Sequence, residues 1–385
     1  MDQCLQVAWI AGSDAITEQS NFIFSPMCLR AGLALLATGA DGETLRQMLA
    51  FLGSEHIHQL NATSAGLLAE MQAWPQLVFA AGIFVDRSLR LRPEFKSTAA
   101  AAHGGIHAIC GLPEPDHEGA LNQRHPPWHL EQRHDVRPCE RHALQGEVGS
   151  DVRVVEHHAG NVPPPRRHDG AGAVPVGPRD ALRRQGAKFE FHGLEFKVLQ
   201  LFYKMVGRDG QVDFGFGAPC FCMLVFLPIK RDGLRHLLRM AVTEPDFVMR
   251  CVPRSRQIVT PCKVPKFKFS SQLDAGGALA QLGLGAPFDP DAADLSRMAV
   301  NTPPAGLYVS AMRQKCAVEV DEEGTTAVEA MYSPSSPGYS PGYQPPRPPP
   351  MSFVAEHPFM FAIVEYKKAQ VLFLGHVMDP SKEDQ

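Results

Sequence analysis

Ten of the chain's 16 histidines lie between His103 and His168. With Cys139, the residues His142, His157 and His158 are of the types that ligate zinc. A zinc site needs ligand pairs at tight spacing and a framework that holds two such pairs together. This stretch offers neither, so no metal site is expected and nothing calls for a cofactor. A Ser-His-Asp hydrolase would set a Gly-x-Ser-x-Gly elbow between a strand and a helix, and no such elbow is expected. The remaining chemistry is mechanical. An acidic Gly-Thr run, Glu322-Glu323-Gly324-Thr325-Thr326-Ala327, follows the apolar Ala317–Val320 and precedes a long Pro/Tyr/Ser loop, after which the chain returns as Phe353-Val-Ala-Glu-His357-Pro-Phe359. That order predicts a strand, a hinge, an exposed loop and a buried strand.

The elements that would position this loop are legible on both sides of the chain. Asn21–Phe24 is a short apolar strand ended by Pro26, and Met27–Leu36 is apolar on most sides, as a buried helix would be. Leu45, Met48, Leu49 and Leu52 share one helical face, and Gly53 sits where a C-cap belongs. Leu77–Val85 reads as a buried strand, followed by a turn and Leu91–Lys96. Further on, Phe196–Phe202, Phe221–Leu227 and Lys266–Phe269 read as strands, and Leu234–Met240 and Ala278–Leu282 as helices. Phe359–Val364 and Val371–Val377 read as a hairpin around Glu365-Tyr-Lys-Lys368. Between about His103 and Ala187 no helical or strand period survives.

Composition sets the outer bounds. A chain of 385 residues, 44% of them hydrophobic, can bury one large α+β core. A net charge of −4 gives no footprint for nucleic acid, and no apolar run is long enough to span a bilayer. The start, Met1-Asp-Gln-Cys-Leu5, has neither a basic region nor a small-residue cleavage site, so no secretory signal is expected. The nine cysteines form no C-x-x-C pair. Reduced thiols in the cytosol are expected, with the extracellular space as the alternative. The sequon Asn61-Ala-Thr63 matters only on the secretory route.

Eight phrases resemble the serpins, and among them the plant Z-type serpins. They are Asn21-Phe-Ile-Phe-Ser-Pro26, Gly82-Ile-Phe-Val-Asp86, Glu195-Phe-Lys-Val-Leu199, Phe226-Leu-Pro228, Val264-Pro-Lys-Phe-Lys268, Val318-Glu-Val-Asp-Glu-Glu-Gly-Thr325, Val354-Ala-Glu-His-Pro-Phe359 and Leu374-Gly-His-Val377. They come in the family's order and cover roughly residues 1–103 and 188–385. The resemblance implies an α+β fold with three β-sheets, a shell of about eight to nine helices and an exposed reactive-centre loop. It implies a single domain over 1–385, with an aberrant segment at 104–187 and the hinge and loop at 322–352. It also implies a monomer whose partners are serine proteases, not an enzyme.

In that family a protease cleaves the loop, becomes an acyl-enzyme and is dragged away as the hinge inserts into sheet A. Inserted residues must therefore suit a strand and be small on the inward face. Over the hinge positions Glu322 to Ala330, the run Glu322-Glu323-Gly324-Thr325-Thr326-Ala327 suits this, whereas Val328 and Glu329 depart from it. Glu329 shares a strand face with Thr325 and Ala327, where an unpaired carboxylate is costly. Pro334 and Pro337 each remove a ladder N–H. The family's count from Gly324 puts the reactive bond at Gly338–Tyr339. Arg347 precedes proline, which resists serine proteases, while Tyr332 and Tyr339 would suit chymotrypsin-like enzymes. The expectation is a non-inhibitory copy; the alternatives are a live suicide inhibitor and a Pro/Tyr-rich partner-binding segment, since Tyr332-Ser-Pro-Ser-Ser-Pro-Gly resembles the RNA polymerase II tail. Beneath sheet A the family keeps a hydrogen-bonded shutter. Here Ser25 matches one of its serines, Cys28 stands at the other and Gln314 at its histidine.

The middle segment fits a shifted reading frame. Gly111–Asp116 can be encoded so that one base later it reads Asp-Phe-Gln-Asn-Gln, similar to the family's segment after helix E. Arg141–Gly149 shifted the same way can read Ala-Met-His-Phe-Lys-Gly-Lys-Trp-Gly, similar to the third strand of sheet A. A frameshift is expected over a genuine disordered insertion, and the central strand of sheet A is expected to be missing or disrupted, with two edges unpaired.

Overall fold

The computed structural model describes residues 3–72, 83–85, 89–103, 109–110, 146–149, 185–203, 220–254, 259–301, 306–320 and 350–382. The first half runs α1 (Gln3–Thr17), β1 (Phe22–Phe24), α2 (Pro26–Ala37), α3 (Gly42–Leu52), α4 (Ile57–Gln72), β2 (Phe84–Val85), α5 (Pro93–His103), β3 (Ile109–Cys110), β4 (Gly146–Gly149), β5 (Gln185–Phe191) and β6 (Leu194–Phe202). The second runs β7 (Phe221–Pro228), α6 (Leu234–Thr243), α7 (Phe247–Arg250), β8 (Val259–Lys263), β9 (Phe267–Asp274), α8 (Gly276–Gln281), β10 (Met312–Val320), β11 (Met351–Val354), β12 (Phe359–Glu365) and β13 (Gln370–Val377).

Pro26 does more than end β1. It opens α2 at a position whose N–H would be orphaned anyway, with Ser25 in extended backbone as the N-cap. The face of Leu45, Met48, Leu49 and Leu52 forms as expected, and Gly53 closes α3 at φ +62°. The hairpin predicted around Glu365–Lys368 is β12–β13, paired from Phe359↔Val377 to Glu365↔Gln370.

A six-stranded sheet in the order β1-β13-β12-β7-β6-β5 is the centre of the molecule. Strand side chains alternate faces, and β7 divides its own between two cores. Cys222, Leu224 and Phe226 pack with α1, α2 and α6, while Phe221, Met223, Val225 and Leu227 pack with residues of β8, β9, β10 and β11. β12 does the same, with Met360, Ala362 and Val364 on one side and Phe359, Phe361 and Ile363 on the other. Both strands are buried along their whole length. Helices therefore cover one face and smaller sheets the other, the layering of an α+β domain. The smaller sheets are β4-β10-β9, β11-β8 and the short pair β2-β3. Eight α-helices are present among the described residues.

One expectation changes and another narrows to one of its two alternatives. The middle stretch is not without strands: β3 and β4 lie in it, and β5 begins at Gln185. The central strand beside β10 is disrupted rather than missing. β4 pairs parallel with β10, from Met312↔Gly146 to Lys315↔Gly149. The strand's own residues, Gly-Glu-Val-Gly, carry little strand propensity; a neighbouring edge of unpaired backbone groups is reason enough for four residues to extend. Of the strand predicted over Leu77–Val85, residues 83–85 lie within the described residues, and Phe84–Val85 of them form β2.

Candidate functional site

The three shutter positions meet at the start of α2. Ser25 and Gln314 are buried to 0% and 2% exposure, and Cys28 to 0%. The Ser25 hydroxyl donates to the Leu372 carbonyl at 2.8 Å and accepts from the Cys28 backbone N–H at 3.2 Å. Gln314, on β10, takes both backbone groups of Ser25. Its Oε1 accepts from the Ser25 N–H at 3.1 Å, and its Nε2 donates to the Ser25 carbonyl at 2.8 Å. Every polar group in this buried knot that these bonds involve is satisfied, as burial demands. Through it β10 is bound to β1, α2 and β13 at once.

β10 pairs with β9 over Arg313–Val320, Arg313↔Asp274 to Val320↔Phe267, and with β4 over Met312–Lys315. At the end that leads to the hinge, Lys268 and Glu319 form an exposed ion pair at 2.9 Å across β9 and β10. A second side-chain bridge reaches from β9 to β1: the Ser271 hydroxyl accepts from the Ile23 N–H at 3.1 Å and donates to the Ile23 carbonyl at 2.5 Å. Ser271 was not among the residues singled out from the sequence, since a serine in an alternating strand carries no mark of its partner.

The hinge residues Glu322, Glu323, Gly324, Thr325, Thr326, Ala327, Val328, Glu329 and Ala330, and the bond Gly338–Tyr339, lie outside the described residues, as do Cys139, His142, His157 and His158. The letters of a nucleophile elbow do occur once, in Gly338-Tyr339-Ser340-Pro341-Gly342. In a true elbow the backbone N–H after the serine helps form the oxyanion hole, and Pro341 has none. Burial pushes the Cys222 and Cys251 thiols up to about 12, so neither is a nucleophile at neutral pH.

A second polar knot, not anticipated from sequence, joins the chain's two ends. Asn21 Oδ1 accepts from the backbone N–H groups of Met378 and Asp379, and its Nδ2 donates to the carbonyls of Asp379 and Lys382. Beside it the buried His376 donates from Nε2 to the Ser20 carbonyl at 3.1 Å and stacks on Phe22. Desolvation holds this imidazole neutral, with its pKa lowered to about 4. The phrase around Asn21 marked a strand start; the C-terminal partners were not legible.

Comparison with known proteins agrees with this architecture. The family model of the serpins, serine protease inhibitors, matches residues 10–106 and 182–380. "Putative non-inhibitory serpin-10" of Oryza sativa subsp. japonica is 67% identical, over 100% of both chains. "Putative serpin-Z8" of the same plant is 32% identical over 96% of this chain and 93% of its own length. A solved structure of Arabidopsis AtSerpin1 in its native stressed conformation matches with a TM-score of 0.64 and 25% identity, covering 99% of this chain and 98% of that one. The chain belongs to the serpin family.

Proposed function

We propose that this serpin presents a cleavable loop without trapping the protease that cuts it, and that it is not itself an enzyme. The observation that carries the reading is the make-up of the segment that would have to enter beside β10, which holds Glu329, Pro334 and Pro337. A strand entering from the end of β10 must run antiparallel to β10, and therefore also antiparallel to β4, which is parallel to β10. It would first pass Val320 to Cys316, where β4 does not extend among the described residues. Glu329, Pro334 and Pro337 fall in the segment that would have to follow. The name of the rice relative points the same way.

Mixing the protein with trypsin-like and chymotrypsin-like serine proteases tests it. Nicking near Gly338–Tyr339 with no covalent product is expected. An SDS-stable protease complex would overturn the reading and favour the suicide inhibitor. Residues 104–187 are proposed to be translated out of frame. Sequencing the transcript across them tests this, since codons that cannot encode the shifted phrases rule it out. A cytosolic location is proposed on the ground that the nine scattered cysteines form no C-x-x-C pair, and cell fractionation tests it.

A further inference from the structure

The loop has two feet. The upstream foot is β10, held by nine residues of ladder. The downstream foot is β11, and its ladder is poor. β11 has four residues and, among the described residues, one sheet neighbour, the parallel strand β8. An isolated two-stranded pair is marginal in water. The register also slips: Met351 faces Val259, but Phe353 faces Cys262, so Ser352 stands against Thr260 and Pro261. Pro261 has no N–H to offer the Ser352 carbonyl.

That carbonyl is taken by a side chain from the central sheet. Lys197, on β6, donates from Nζ to Ser352 O at 2.8 Å. The ammonium stands there although both burial and the neighbouring charge of Lys188 act against it, lowering its pKa. The rest of the seat is built for the same strand. Gly186 pairs with Leu199 and Lys188 with Lys197, so these four residues share one face of the sheet. On that face Leu199 packs in one cluster with Val259, Met351 and Phe353. Gly186 leaves room: a Cβ there would lie 2.2 Å from Met351 Cε and 2.7 Å from Val259 Cγ2. Phe353, fully buried, is the anchor beneath.

We propose that Lys197 is a positioning residue for the loop: its bond to the Ser352 carbonyl is the catch that keeps β11 docked on the central sheet and so fixes where the loop's downstream end stands. The catch is independent of whether the loop inhibits or is only cut. Without it β11 retains its apolar anchor but opens more often, and the tether between hinge and β12 lengthens by the residues of β11.

Hydrogen exchange on the full chain tests this. Lys197→Met keeps the apolar stem and removes the donor. The amides of Met351–Ala355 should then exchange about tenfold faster, the effect expected when one charge-assisted bond to a locally opening strand is lost. Those of Phe359–Glu365 in β12 should not change. Lys197→Arg, which restores a cationic donor, should recover most of the protection. The proposal is overturned if β11 exchange stays within twofold in Lys197→Met. It is equally overturned if β11 and β12 accelerate together, which would report general loosening, or if Lys197→Arg behaves as Lys197→Met does.

Discussion

Gln314 has both ends of its amide committed to the backbone of Ser25. Gln314→Met keeps the volume and removes both bonds; the Ser25 carbonyl keeps the Leu29 N–H at 3.2 Å, but the buried Ser25 N–H is left unpaired, at about 1–3 kcal/mol. A fall of about 1–3 kcal/mol in unfolding free energy is expected from urea titration, against a much smaller change for Gln272→Met on the exposed face of β9. His376 makes a pH prediction with a definite sign. Its folded pKa is lowered to about 4, while an unfolded histidine titrates near 6.5. Below pH ~6.5 the unfolded chain takes up a proton that the folded chain refuses, so this stabilisation is full above ~6.5 and is lost as pH falls towards 4. Between pH 7 and 4.5 the loss from this residue should be about 2–3 kcal/mol. It is read as the part of the decline in urea midpoint that disappears in His376→Gln. Of these residues, Ser25 stands within a recognisable phrase, and Cys28 and Gln314 could be placed by their distance from one. Asn21 and His376 could be read only as parts of strands, since their partners are backbone groups some 350 residues away.

Elements with strong periodicity or explicit punctuation were legible, and those formed by their neighbours were not. α3 has an apolar stripe and a glycine stop. Gly53→Ala meets no atom within 4 Å, so its expected cost of ~1 kcal/mol is backbone strain at φ +62° alone, measurable as a lowered melting temperature. α1 gave no such signal: its buried positions are Cys4, Val7, Ala8, Gly12 and Ala15, too small to draw a stripe. β4 was invisible for a different reason, since two of its four residues are glycine and its extension answers to β10. β11 was anticipated only as part of the return from the loop, and nothing in Met-Ser-Phe-Val announces a lysine catch. Gly186→Ala should disturb that strand by overpacking, with a cost of about 1–3 kcal/mol and faster exchange in Met351–Ala355. The hinge, by contrast, was the most legible feature in sequence and lies outside the described residues, so its reading still rests on residue types.

At the scale of the whole molecule, the segment after the loop is not an appendage. β12 lies between β7 and β13, and β13 carries β1 on its other side. A chain nicked near Gly338 should therefore remain one particle, eluting with the intact protein and separating only under denaturant. If the loop does not enter the sheet, nicking should leave the melting temperature within a few degrees, whereas a new fully paired central strand would raise it well beyond that. The same layout governs how the protein is made. β1 is among the first residues to leave the ribosome, yet its sheet neighbour among the described residues, β13, is among the last. The buried strand β7 likewise waits for β12, which is synthesised some 130 residues later. With such long-range pairing, and synthesis at about 5–20 residues per second, the edge of β7 that faces away from β6 stays unpaired for roughly 7–26 seconds before β12 exists. This chain cannot fold as it emerges; for that interval its most apolar strands depend on whatever in the cell shields a nascent chain.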